Sequence, residues 1–71
     1  PLFDALRRLR LDLARDQGVP PYVVFGDTTL AAMVRHRPTT LDAFARLSGV
    51  GQVKLERYGE AFIEVIRAFD A

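Results

Sequence analysis

Leu47-Ser48-Gly49-Val50-Gly51-Gln52-Val53-Lys54-Leu55-Glu56-Arg57-Tyr58-Gly59 is the stretch that decides how the rest of the chain is read. Two glycines bracket one valine, and an amphipathic helix is expected to begin directly after them. Glycine takes positive φ without a Cβ clash, so the chain can reverse sharply here. The first N–H groups of the following helix then lie open at the positive end of its dipole, where a phosphate is favoured. Lys54, Arg57 and, upstream, Arg46 bring full charges close by. The other reading is a plain tight helix–helix connection with Val50 set into the core. Short glycine patterns are weak evidence alone, so the flanking chain has to decide.

Downstream, a helix is expected from about Gln52 to Phe69. Leu55, Tyr58, Phe62, Val65, Ile66 and Phe69 form one apolar stripe, and Glu56, Arg57, Glu60, Glu64 and Arg67 the outer face. Gly59 lies at the stripe's edge, where a missing side chain lets another helix approach. The Glu60–Glu64 pair sits on the charged face and reads as solvated rather than catalytic. Val53 falls among Arg57, Glu60 and Glu64, outside the stripe.

Upstream, Thr39 or Thr40 is expected to cap a short helix from Leu41 to about Leu47, with Thr39 and Asp42 as a capping box. Leu41, Phe44 and Leu47 should point inward. Before it, Asp27 reads as the N-cap of a helix with Leu30, Met33 and Val34 inward, ending at Arg37 because Pro38 follows. His36 has no cysteine, second histidine or nearby carboxylate at ligand spacing, so its role is structural. Pro20-Pro21-Tyr22-Val23-Val24-Phe25-Gly26 looks strand-like, but no second strand is available to pair with it. It is read as a loop or single 3₁₀ turn pinned by Val24 and Phe25, with the Tyr22 ring partly in solvent. That ring is either packed with a wet hydroxyl or a platform for a nucleic-acid base.

The first helix is expected from Leu2 to Gln17 and is stopped by Gly18. Leu2, Leu6, Leu9 and Leu13 recur at helical spacing, widened by Phe3, Ala5 and Ala14, with Asp4, Arg7, Arg8, Asp12 and Arg15 opposite. Leu11 falls on the charged side. The expected core thus includes Leu6, Leu9, Leu13, Leu30, Phe44, Leu55, Phe62 and Ile66.

Seventy-one residues make one domain with one small core. There are no cysteines and one histidine, so neither a disulfide nor a metal cluster staples it, and no cofactor is expected. No apolar run approaches the ~20 residues that span a bilayer, and no membrane partner is expected. Pro1 in place of methionine is what a module belonging to a longer protein would show. Net charge is only +1, but Arg35, Arg37, Arg46, Lys54 and Arg57 outnumber Asp42 and Glu56 around the glycine turn. Nine of the ten basic residues are arginine, so composition bias accounts for some of this as well. No nucleophile–base pair or phosphate-binding P-loop is present, which argues against an independent enzyme.

Four stretches in this order form a pattern. They are Leu6-Arg7-Arg8-Leu9-Arg10, Pro20 to Phe25, Asp27-Thr28-Thr29-Leu30, and Gly49-Val50-Gly51 with Lys54 to Gly59 and Phe62. Together they resemble the helicase-and-RNase-D C-terminal (HRDC) domain, most of all the version carried by bacterial RecQ-type DNA helicases. The resemblance covers nearly the whole chain. It implies an all-α fold, a compact bundle of about five short helices counting the 3₁₀ turn. It also implies a non-catalytic, monomeric auxiliary module of a cytoplasmic helicase that binds single-stranded or partly duplex DNA weakly. The turn resembles the hairpin of helix-hairpin-helix proteins, whose backbone amides contact phosphates. Carried over, Tyr22 is the loop aromatic and Lys54 the basic residue after the turn. Gly49, Gly51, Arg57 and Arg37 complete the expected nucleic-acid-binding set. The first helix departs from the family's lysine-rich pattern, with Leu11 and Asp12 where more positive charge is expected. Val53 stands beside the turn at a position that could hold a polar or basic residue. These departures suit a second function, docking on another domain of the parent helicase or on a partner protein through Leu11 and Val53. The gathering of basic residues at the turn favours the first.

Overall fold

The computed structural model describes residues 1–70, and among them every regular element is helical. The order is α1 (Leu2–Gln17), α2 (Pro21–Val24), α3 (Asp27–His36), α4 (Leu41–Ala45) and α5 (Gln52–Asp70). The long helices α1 and α5 pack on each other, α2 and α3 lie against α1, and α4 lies against α5. The compact five-helix bundle expected from the sequence is the fold, with α1 and α5 long and the other three short.

Phe25 is its hub. α2 is a single α-helical turn rather than a 3₁₀ turn, and it ends where Phe25 takes extended geometry, φ −151° and ψ 146°. The Phe25 ring meets Phe62, Tyr58 and Phe44 edge-on, with centroids 5.0, 5.8 and 5.9 Å away. Such T-shaped pairs add to the burial of the rings themselves. Leu6, Leu30, Phe62 and Ile66 are fully buried beside them.

α1 departs from its apolar pattern in one respect. Its buried line is Leu2, Leu6, Arg10 and Ala14, while Leu9 and Leu13 are only half-buried. A line spaced by four residues runs obliquely around the helix, so the core face is centred on Arg10. The guanidinium is accommodated because Nη1 donates to the Phe25 carbonyl at 3.1 Å and to Asp27 Oδ1 at 2.8 Å. Asp27 is thereby taken from the capping role expected of it. Gly26 precedes the helix as N-cap, and Asp27 is its first residue. Leu11 is likewise half-buried, not free on the charged face, and it lines a cleft together with Pro21 of α2.

Three further expectations change. α4 is two residues shorter than expected, and Leu41 is exposed, its Cδ2 lying 3.1 Å from where a Cβ on Gly59 would sit. Thr40 alone caps α4, accepting from the Ala43 N–H at 3.1 Å, while the Thr39 carbonyl receives Arg67. On α5, Ile63 joins the buried line and Phe69 is 46% exposed, so Ile63 and Ile66 rather than Phe69 face the core. α3 closes as expected before Pro38, with Arg37 in the left-handed region at φ 45°.

Candidate nucleic-acid interface

The glycine turn is built by α3. Thr29 sits in the first turn of that helix, buried, and its hydroxyl donates to the Ser48 carbonyl at 3.1 Å. Gly49 follows at φ 89°, and a Cβ there would overlap Thr29 Oγ1. Only glycine fits, for reasons of backbone and of space. The Val50 N–H returns to the Leu47 carbonyl at 3.2 Å, and Val50 packs half-buried against the core. Gly51 has ordinary φ and open space around its Cα, and its carbonyl accepts the first helical bond, from the Leu55 N–H at 2.9 Å. The reading as a tight connection with Val50 set toward the core therefore describes the turn. The turn is a tight connection, and it leaves the first N–H groups of α5 without helical acceptors.

Lys54 lies one turn into α5, half-buried, with Nζ 5.8 Å from the centroid of the Phe25 ring. This cation–π contact joins the start of α5 to the α2 turn. Tyr22, three residues before Phe25, is 71% exposed on α2. The turn that presents Tyr22 to solvent is therefore the one whose last ring Lys54 contacts. Arg57 is exposed on the next turn of α5, and Val53 is 68% exposed beside the turn.

Arg37 does not join this group. Its Nη1 bonds Asp70 Oδ1 at 3.1 Å, at the other end of α5, about 24 Å along the helix from Lys54. In its place the structure brings up residues that the sequence reading left on a solvated face. Arg7, Arg8, Leu11 and Pro21 line a cleft of about 300 Å³, with Arg10 and Asp4. Two arginines thus stand beside the residue preceding Tyr22. Their spacing to Leu11, three and four residues, was the signal available for a shared face. Nothing local announced that Pro21 would line the same cleft. Among the described residues no cluster of three His, Cys, Asp or Glu could hold a metal ion, and no helix is long and apolar enough to cross a membrane.

An all-helical five-helix bundle with a Pro-Pro-Tyr turn after its first helix and a glycine turn before its last matches one known class of module. The chain belongs to the HRDC domain family, whose pattern matches residues 1–66. It is 41% identical over 70 residues to ATP-dependent DNA helicase RecQ of Haemophilus influenzae, covering 99% of this chain and 11% of the relative. It is 43% identical over 68 residues to the RecQ of Bacillus subtilis, covering 96% of this chain and 12% of that one. The chain thus spans about a tenth of the length of these relatives. D. radiodurans RecQ HRDC domain 3 superposes with a TM-score of 0.92 at 37% identity, over 96% of this chain and 90% of that one.

Proposed function

We propose that this domain is a non-catalytic auxiliary module of a RecQ-type DNA helicase, and that it binds single-stranded or partly duplex DNA weakly as a monomer. The observation that carries the reading is the Lys54–Phe25 contact, which ties the start of α5 to the α2 turn that carries the exposed Tyr22 ring. A strand would lay phosphates across Lys54, Arg57 and the open N–H groups after Gly51, in helix-hairpin-helix fashion, while a base stacks on Tyr22. Such contacts position a strand without reading its sequence, which suits a module that tunes substrate choice. The parent would act in the cytoplasm on chromosomal DNA.

The test is a ¹⁵N–¹H titration of the domain with a twelve-nucleotide oligothymidine strand. Shifts should concentrate on Tyr22, Gly49 to Lys54 and Arg57. Shifts that avoid both Tyr22 and Lys54 would remove this site.

Docking on another domain of the parent is the second reading, favoured by the exposure of Val53. Leu11 contributes less than the charged-face reading implied, since Pro21 shares its cleft. Unwinding by the full-length parent that responds to Val53→Ser but not to Lys54→Ala would favour docking.

A further inference from the structure

A groove of about 490 Å³ lies between α3 and α4, and none of Tyr22, Lys54 and Arg57 lines it. Its volume falls in the ~300–1,000 Å³ range of sites that enclose a side chain or small ligand. The walls are small and apolar, with Ala32, Ala43, Pro38 and Leu47 among them. Arg35, His36 and Arg46 line it too, and no carboxylate does. Among the described residues neither Arg35 nor Arg46 enters an ion pair.

These features select one kind of occupant. We infer that the groove is a docking site for an acidic polypeptide segment carrying one bulky apolar side chain. The alanine-rich walls leave room for the apolar side chain, and two unpaired arginines attract flanking carboxylates. A nucleic-acid strand fits less well. Its phosphates would suit the arginines, but His36 is the single aromatic ring among the lining residues and half of those residues are alanine, proline or leucine, which favours an apolar side chain over stacked bases. The site is separate from the DNA interface proposed above and does not depend on it.

Ala31 also lines the groove and is exposed, so a larger side chain there fills the space without entering the core. The probe is a fluorescein-labelled peptide with one central phenylalanine and three aspartates on each side, followed by anisotropy. The unaltered domain should bind it. Ala31→Leu, which removes room, and the Arg35→Ala/Arg46→Ala pair, which removes charge, should each weaken binding about tenfold or more. Ala31→Glu, a surface change of charge, should do the same and serves if Ala31→Leu melts early. Replacing the peptide's phenylalanine by glycine should lose binding, and Lys54→Ala should leave it unchanged.

Four results would overturn the inference. One is no peptide binding at about 1 mM, the weak end of specific recognition. Another is binding indifferent to Ala31→Leu and Ala31→Glu, which would reduce it to general charge attraction. A third is an oligothymidine strand whose affinity falls with the peptide's in Ala31→Leu, which would make the groove part of a DNA path. The last is a dimer of the domain that Ala31→Leu dissociates, which would give the groove to a second copy.

Discussion

The hydroxyl of Thr29 occupies the space that a side chain on Gly49 would need, and from there it donates to the carbonyl of Ser48 at 3.1 Å. One helix thus holds the connection between two others in a left-handed bend. The two glycines of the hairpin have different jobs as a result. Gly49→Ala should cost roughly 1–3 kcal/mol from its φ of 89° and the displaced Thr29. Gly51→Ser should cost nothing and add a few tenths, since serine is at least as good an N-cap. Urea denaturation of the two variants checks this, and equal midpoints would refute it.

Phe62 is fully buried and meets the hub ring of Phe25 at 5.0 Å. Phe62→Ala should lose about 3–5 kcal/mol, a large share of what a small domain has. Thermal melting by circular dichroism reads the loss. A variant that melts with the parent domain would mean the core is misplaced.

Arg10 is 11% exposed at its side chain and its partner Asp27 is 78% exposed, so the two ends of the pair differ in worth. Arg10→Ala leaves the Phe25 carbonyl without its donor and should cost roughly 1–3 kcal/mol. Asp27→Asn removes a charge that water already screens and should cost under about 1 kcal/mol. If Asp27→Asn proves the more damaging in denaturant melts, the ion pair rather than the carbonyl bond holds the α2–α3 corner.

DNA binding should be weak, on the order of 10⁻⁴ M or looser at physiological salt, because few charges face one strand. Contact with about three phosphates gives a logarithmic salt slope near −2. Lys54→Ala should flatten that slope by about 0.7, and Tyr22→Ala should lose ~1–3 kcal/mol of stacking. Arg37→Ala, at the far end of α5, should leave both unchanged. Anisotropy titrations across a salt series measure all three, and an equal response to Arg37→Ala would move the interface.

Val53 and Leu11 should now separate. Val53→Ser, at a position 68% exposed, should stay within about ±0.5 kcal/mol. Leu11→Ser uncovers a half-buried side chain beside Pro21 and should cost about 1 kcal/mol. Melting temperatures that fall equally would return Leu11 to the open surface.

Periodicity located the long helices α1 and α5, because an apolar stripe must face other helices whatever they are, while caps and Pro38 marked α3 and α4. Leu6, Leu30, Phe44, Phe62 and Ile66 were legible as core for that reason, and all five are fully buried. The order of four short motifs was enough to indicate the family, since family membership is a property of sequence. What periodicity could not supply was where each stripe is centred, because that depends on the angle at which a neighbour crosses. Arg10 lies inside while Leu9 and Leu13 reach only the margin, a result of how α2 and α3 cross α1. Nor could it tell which glycine bends the chain: Gly49 and Gly51 look alike until Thr29 arrives from another helix. The Lys54–Phe25 contact and the α3–α4 groove belong to the same class. Each joins residues far apart in the chain, and only closing the bundle brings them together.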